Sequence, residues 1–335
     1  MTERDSSGKA GVGRIGGAGL QLKANALVSI VIVLYDSADC IEPCISSLAS
    51  LEYRPFELIM VDNASSDDSA RLARRRAQEE GLDCLVSLLS RNRGFAAATN
   101  HGISLSSGEI MLLLNPDTEV YPDTLVALVE ALEEPEVGIA GCKVYYPDRE
   151  TLQHAGGFIR DNGLTWHYGV NEKDVGQYDE PADVSYVTGA ALALKRKVLD
   201  RVGPLDAGYF PAYFEETDLC LRARRAGYRV VYAPRARLVH HESVTVGKFT
   251  ERYYYLYHKN RIRFMLKNYS WRFLLDRALP FEQRWISMIE PEEQAIPLNK
   301  AYLVNILNLP RTLVARRHAE KKLSAPRIED TVSEL

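Results

Sequence analysis

Residues 110–117 read Ile-Met-Leu-Leu-Leu-Asn-Pro-Asp. A short continuous apolar run that ends in a turn signal is typical of a strand buried on both faces of a parallel sheet. Asp117 would then lie at the carboxyl edge of this strand, where open α/β sheets bind their ligands. Because Pro116 has a fixed φ angle, the backbone would hold the Asp117 carboxylate rigidly. The alternative is an Asp that opens a turn or a helix.

Strand-like and helix-like patterns alternate around this run. Strands are predicted at 28–34, 56–61, 85–89 and 110–114, and helices at 41–51, 69–80 and 94–106. This alternation predicts an α/β fold with a doubly wound, mostly parallel sheet. The polar residues that follow the strands would then meet at one edge of the sheet, and they include Tyr35, Asp62, Asn63, Asn92, Gly94, Asn115 and Asp117.

The rest of the chain is less regular. A loop region is predicted at 145–181, a strand at 184–194, a long helix from 249 to about 268 and a further helix at 301–317. Residues 1–26 are rich in Gly and Ser, so they are predicted to form a disordered tail.

Composition favours a soluble globular enzyme, with 46% hydrophobic and 26% charged residues. The net charge of -4 argues against nucleic acid as a partner. No apolar run reaches membrane-spanning length, so a cytoplasmic protein is expected. Residues 253–264 mix aromatic and cationic side chains, which predicts a helix lying peripherally on an anionic membrane, here the inner face of the plasma membrane. Nucleic-acid binding, or packing of this helix onto the sheet domain, are the alternatives.

Five motifs occur together in the order found in one enzyme family. The chain resembles inverting glycosyltransferases of family 2, which have the GT-A fold, and in particular the rhamnosyltransferase-like branch of bacterial surface-polysaccharide enzymes. The resemblance covers roughly residues 28–258. The motifs lie at 28–35, 61–65, 92–100, 114–117 and 214–222, with His240 following the last.

The resemblance implies transfer of a sugar from a nucleoside diphosphate to a hydroxyl of a surface glycan or a polyprenyl-linked acceptor. It favours dTDP-L-rhamnose as donor, although UDP-galactofuranose, UDP-glucose and UDP-GlcNAc suit the same motifs. It also implies a division of the chain after the tail into a nucleotide-binding half at 27–118, an acceptor-binding and catalytic half at 119–246, and a C-terminal helical, basic and aromatic region at 247–335.

The donor site implied by the resemblance uses the strand-end residues. Tyr35 can stack on the base, and Asp62 can accept a hydrogen bond from a pyrimidine imide N–H. Asp117 matches the last acidic residue of the family's metal-binding DxD motif, and Asn115 replaces the first. Mg²⁺ or Mn²⁺ would bind Asp117 and His240, although a structural role for His240 is the alternative. The remaining donor-site residues implied are Asn63, Asn92, Gly94, Asn100 and Asn115.

The general base implied by the resemblance is Glu216, at the start of a helix whose positive dipole end favours ionised carboxylates. Asp218 is the alternative base, and Glu215 would orient the acceptor or the helix. Acidic residues also simply favour helix starts. Two other functions compete: a nucleotidyltransferase, which would need a Gly-rich basic loop where residues 35–39 are acidic and Gly-free, and a non-catalytic nucleotide-sugar-binding protein of a glycan assembly complex.

Overall fold

A computed structural model describes residues 25–242, 250–288 and 291–323, with side chains from 294 onward in the last segment. The predicted tail lies outside the described residues, except for its last two. The strands are β1 Val28–Leu34, β2 Phe56–Asp62, β3 Cys84–Leu88, β4 Ile110–Leu114, β5 Thr118–Val120, β6 Val137–Tyr145, β7 Leu152–His154, β8 Gly157–Ile159, β9 Thr165–His167, β10 Ala182–Asp183, β11 Ala191–Lys195 and β12 Arg229–His240.

The early helices lie between the strands, and in the described part of the chain only helices follow β12. They are α1 Ile41–Ala49, α2 Ser69–Glu79, α3 Phe95–Leu105, α4 Thr124–Glu133, α5 Arg196–Val202, α6 Glu215–Arg225, α7 Glu251–Asn268, α8 Trp271–Phe273, α9 Leu279–Ile286, α10 Pro291–Leu307 and α11 Leu309–Lys322. A π-helical turn at Leu274–Ala278 joins α8 to α9.

One large sheet has the strand order β10-β12-β6-β11-β4-β1-β2-β3. Strands β1, β2, β3 and β4 pair in parallel, as the alternating pattern predicts. Strand β11 runs antiparallel between β4 and β6. Short strand β5 pairs antiparallel with the end of β12. The α/β fold class is confirmed, and these pairings bring later parts of the chain beside the residues that follow β4.

Both faces of the sheet are covered because its central strands are apolar throughout. All residues of β1 and β4 are buried. Ile30 and Ile32 pack into one core with Ile45 of α1, whereas Val31 faces a second core that includes Ala96 of α3. Alternate residues of a strand point to opposite faces, so an uninterrupted apolar run is what a two-sided core requires.

Three regions of the second half differ from the predictions. The expected loop at 145–181 contains β7, β8 and β9, whose three-residue lengths are too short to produce a periodic signal. The predicted strand at 184–194 starts only at Ala191. The helix predicted at 301–317 is instead two helices, α10 and α11, which meet at Asn308.

Helix α7 packs inside the protein. Asn260, Arg261 and Phe264 are fully buried, and α7 contacts both α10 and α11. Arg261 forms a bidentate ion pair with Glu282 of α9, in which its two terminal nitrogens lie 2.7 and 2.6 Å from the two carboxylate oxygens. These contacts favour packing of this segment within the protein over the predicted position on a membrane surface, and peripheral membrane association of the chain stays a prediction. Among the described helices, none has the length and apolar character needed to cross a bilayer.

Candidate active site

The loops that follow β1, β2 and β3 are linked by side-chain hydrogen bonds. Asp36 Oδ1 accepts hydrogen bonds from the backbone N–H of Ser66 at 2.7 Å and from its hydroxyl at 2.9 Å. Asn63 donates to Asn92 Oδ1 at 3.1 Å and accepts from the Arg93 N–H at 2.8 Å. The strand-end residues predicted to meet at one edge of the sheet are thus brought together and held by one another.

Asp62 has a buried carboxylate oxygen available for a ligand. Its Oδ2 accepts from the Ser65 N–H at 3.2 Å, and Oδ1 has no hydrogen-bond partner in the described part of the chain. Leu34 pairs with Asp62 across β1 and β2, so the half-buried Tyr35 follows directly beside it. A buried acceptor without a partner is costly unless a ligand satisfies it. This geometry is compatible with Asp62 accepting from a base.

Two residues of the third motif have structural contacts that the sequence did not predict. Gly94 has a φ of +80°, and a Cβ there would lie 2.7 Å from Phe210 Cδ2. The close approach at Gly94 is therefore made by another loop of the protein. Asn100 donates to the Leu205 carbonyl at 2.8 Å and accepts from the Leu205 N–H at 3.0 Å. Because both polar atoms of Asn100 hold this backbone, its predicted contact with the donor is not supported.

Asp117 and His240 meet because of a strand pairing. Strand β5 starts immediately after Asp117 and pairs with β12, which places His240 opposite Thr118. His240 Nε2 lies 3.2 Å from Asp117 Oδ1. His240 Nδ1 lies 2.7 Å from Gln153 Oε1. Since Oε1 can only accept, Nδ1 carries a hydrogen, and Nε2 faces the carboxylate.

This pair could bind a hard divalent cation whose coordination is completed by other ligands. Mg²⁺ commonly binds one or two carboxylates together with substrate phosphates and water, and a metal-binding His usually donates its second N–H to an acceptor such as Gln153 Oε1. The described residues contain no group of three or more His, Cys, Asp and Glu side chains that could hold a metal. Any cation here would need further ligands beside this pair, such as water or phosphate oxygens.

Gln153 was overlooked as a site residue. It is 4% exposed and fixes His240 through its side-chain oxygen. It lies on β7, within the region expected to be a loop. The antiparallel pairing of β7 with the neighbouring β6 brings it into place.

A three-residue segment, 188–190, lies between the end of β4 and the start of α6. The Asn115 N–H donates to the Ala190 carbonyl at 2.9 Å. On the other side, a Cβ added to Gly189 would lie 3.7 Å from Glu216 Cγ. Asn115, two residues before Asp117, and Glu216 therefore both lie against the same short segment. Sequence spacing alone could not show this neighbourhood.

Glu215 and Glu216 open α6 in different environments. Glu215 is 4% exposed and its Oε2 has no hydrogen-bond partner within the described residues. Burial, and then the charge of Glu216, raise the pKa of Glu215 well above its usual range. Glu216 is half-buried, and burial also raises its pKa. A partly accessible carboxylate with a raised pKa is suited to accept a proton near neutral pH.

Asp218 is a structural residue of the helix. It is fully buried, with Arg222 at 2.7 Å and Lys267 at 2.8 Å. It also accepts from the Tyr209 hydroxyl at 3.0 Å and from Asn268 at 2.9 Å. Burial alone would raise its pKa, but Lys267 and Arg222 hold that pKa well below the usual range. These contacts oppose the prediction of Asp218 as an alternative base, since a carboxylate so strongly stabilised is a poor proton acceptor.

Known proteins share both the sequence pattern and the fold. The chain is 32% identical over 228 residues to the O-antigen biosynthesis protein RfbC of Myxococcus xanthus, covering 65% of this chain and 17% of that longer protein. It is 27% identical over 274 residues to an N-acetylglucosaminyl-diphospho-decaprenol L-rhamnosyltransferase of Mycobacterium tuberculosis, covering 73% of this chain and 87% of the relative.

Among solved structures, a mannosyltransferase from Pyrobaculum calidifontis in complex with GDP-Man and Mn²⁺ superimposes with a TM-score of 0.54. The superposition covers 92% of this chain and 78% of the other at 18% identity, which supports the fold. The family model described as glycosyl transferase family 2 matches residues 29–203. The chain has a GT-A fold and belongs to glycosyl transferase family 2.

Proposed function

We propose that this protein is a metal-dependent inverting hexosyltransferase that moves a sugar from a nucleoside diphosphate to a hydroxyl of a cell-surface glycan or a lipid-linked acceptor. The observation that carries the proposal is the segment 188–190, which Glu216 approaches from one side and the Asp117 strand end from the other. A carboxylate that can hold a metal and a second carboxylate that can act as base are the groups that direct displacement requires.

In this reaction Glu216 takes the proton of the acceptor hydroxyl. The hydroxyl oxygen forms a bond to the anomeric carbon while the bond from that carbon to the diphosphate oxygen breaks, so the configuration inverts. The nucleoside diphosphate leaves with the electron pair of the broken bond. Asp117 and His240 would hold Mg²⁺ or Mn²⁺, which stabilises the charge that develops on the diphosphate.

The proposed donor is dTDP-L-rhamnose, which the L-rhamnosyltransferase relative supports. The free oxygen of Asp62 suits the imide N–H of thymine or uracil. UDP-galactofuranose, UDP-glucose and UDP-GlcNAc carry the same imide and are the alternative donors. The decaprenol-linked substrate named for the relative, and the O-antigen role named for RfbC, support a lipid-linked or surface-glycan acceptor.

A lipid-linked acceptor would require contact with a bilayer, and we assign that contact to the outer face of α10 and α11. Leu303, Ile306 and Leu307 are 59%, 68% and 71% exposed. The exposed charged side chains described between residues 294 and 322 are all basic, among them Arg311 and Arg317. Apolar side chains bordered by cations fit an anionic membrane surface.

Vesicle flotation tests this contact. The full chain should float with anionic vesicles and not with neutral ones, and Ile306→Ser with Leu307→Ser should abolish flotation. Val175→Ser, at an exposed apolar residue elsewhere, is the control. Absence of flotation, or a concentration-dependent dimer that the paired substitution disrupts, would show that a bilayer is not what covers this face.

The decisive experiment for the proposed activity compares Glu216→Gln with Glu133→Gln, an exposed glutamate of α4. The purified protein should transfer or hydrolyse the sugar of dTDP-L-rhamnose or a UDP-sugar with Mn²⁺. Glu216→Gln should bind the donor normally, as measured by thermal shift, and should lose transfer, whereas Glu133→Gln should retain both. Donor binding without any turnover in the wild type would favour the non-catalytic binding protein, and full activity of Glu216→Gln would remove that residue as the base.

A further inference from the structure

The turn that leads into α6 has an unusual backbone. Tyr213 and Phe214 have φ angles of 81° and 74°, in the left-handed region that side chains with a Cβ rarely adopt. Glu215 and Glu216 follow immediately. Such residues persist only where surrounding contacts fix them. The direction of the Glu216 side chain therefore depends on whatever holds this turn.

Asn260 of α7 makes the main polar contacts to this turn. It is fully buried, and its Nδ2 donates to the carbonyl oxygens of Tyr209 at 2.8 Å, Ala212 at 2.8 Å and Tyr213 at 3.1 Å. The neighbouring Lys259 ammonium contacts the Phe210 carbonyl. One side-chain amide thus spans the loop from residue 209 to the left-handed turn.

Aromatic packing from the same helix supports the two left-handed residues. The Tyr213 ring lies 5.6 Å from the Tyr253 ring. The Phe214 ring lies 5.2 Å from Tyr257 and 5.6 Å from Phe264. Because α7 provides every one of these partners, a single helix contacts both the backbone and the side chains of the turn.

Helix α7 also holds the first turn of α6 from the other end. Its last residues, Lys267 and Asn268, each bond to Asp218 at 2.9 Å. Glu216 therefore lies between two fixed points, the clamped turn at 209–214 and the buried Asp218. The loop that contains the turn also contacts the predicted donor side, since the Pro211 carbonyl accepts from the Phe95 N–H at 2.7 Å.

We propose that Asn260 is a positioning residue, which sets the direction of the Glu216 carboxylate toward the acceptor hydroxyl. The inference rests on the proposed function, since it takes Glu216 as the base. It predicts that loss of the Asn260 amide slows proton removal more than it weakens donor binding.

The test compares Asn260→Ala with Asn305→Ala in the full chain. Asn305 is a matched control, since it is also buried and donates to two carbonyls, those of Lys259 and Ala301, both at 2.9 Å. Asn260→Ala should lower kcat about 10- to 100-fold with a smaller change in the KM for the donor, since misplacement of a catalytic group by about 1 Å costs on the order of 100-fold. It should also shift the pH at which kcat falls on the acid side of the profile. The rate of backbone amide hydrogen exchange at residues 209–218 should increase.

Two further variants separate positioning from general destabilisation. Asn260→Asp has the same shape but cannot donate, so it should be as slow as Asn260→Ala, whereas Asn260→Gln keeps the donors and should recover part of kcat. A folded Asn260→Ala enzyme with the kcat of Asn305→Ala would overturn this inference alone. A wild-type protein that turns over none of the nucleotide sugars would instead overturn the proposed function, and this inference with it.

Discussion

The donor side and the base side of the site are built in different ways. On the donor side, Asp36, Asn63 and Asn92 link loops that follow neighbouring strands, all within the first hundred residues. On the base side, α6 is held by Lys267 and Asn268, which lie 49 and 50 residues after Asp218. The comparison teaches that neighbouring strands link the loops around Asp62, whereas the start of α6 is held by contacts from a helix about fifty residues further along the chain.

The largest effect on the donor side is expected from Asp117→Asn. Removing the anionic ligand should reduce kcat/KM by about 100-fold or more and abolish the Mn²⁺ dependence of donor binding, since Lewis-acid stabilisation contributes several kcal/mol. Asp200→Asn, at an exposed position of α5, is the control. Calorimetry with the donor and Mn²⁺ measures the effect. If the metal-dependent affinity for the donor is unchanged, the cation does not bind at Asp117. The contrast between the donor side and the base side would then be weaker.

A smaller effect is expected at the base-recognition end of the donor side. Asp62→Asn keeps an oxygen for the Ser65 N–H and can turn an NH₂ group toward the ligand, where the wild type has a free acceptor. Loss of one hydrogen bond to a charged group should weaken UDP or dTDP binding by about 10- to 100-fold. CDP, which lacks the imide N–H, should be affected least. Equal losses for all three nucleotides would contradict recognition of the imide.

The base side should show its own pH dependence. Because burial raises the pKa of Glu216, the carboxylate becomes protonated at a higher pH than an exposed Glu, whose pKa is 4.5. The wild-type kcat should therefore fall as the pH decreases through a value above 4.5, by about tenfold per pH unit below it. The acid limb should appear in kcat and be absent from donor affinity. If only the donor affinity falls as the pH decreases, and kcat does not, the titrating group lies on the donor side.

The smallest expected effect is the change in folding stability when Glu215 is substituted. Its raised pKa means that folding disfavours the ionised form, so the wild type loses stability as the pH increases through that pKa. Glu215→Gln should raise Tm by about 2 °C at pH 8, and the difference should vanish below the pKa of the unfolded chain. Thermal melts across pH measure the effect. A Gln variant that is less stable than the wild type only at high pH would show that the charge of Glu215 supports the turn.

The sequence-based predictions also differ between the donor side and the base side. The strands of the first half are continuous apolar runs that end in polar residues, so Asp62, Asn63, Asn92 and Asp117 could be placed at one edge without any long-range information. The pairing of Asp117 with His240 was implied by family resemblance, and the geometry now brings the two side chains within 3.2 Å. Their roles, and that of Glu216, stay predictions.

The errors also have physical reasons. Asp218 and Glu216 are both acidic residues in the first turn of a helix, and only the burial of Lys267 and Asn268 against Asp218 separates their roles. Residues 253–264 have the composition of a membrane-surface helix, but the same aromatic and cationic side chains can be buried by protein when ion pairs such as Arg261–Glu282 satisfy them. Composition cannot distinguish the two environments.

Helix α7 has a consequence for how this enzyme can be dissected or recombined. The family match ends at residue 203, and the border predicted from sequence is residue 246. A fragment cut at either point would lack Lys267, Asn268 and the aromatic partners of Tyr213 and Phe214. Exchanging the C-terminal helices between relatives would therefore exchange part of the support for the start of α6, so the smallest portable unit extends at least through Asn268.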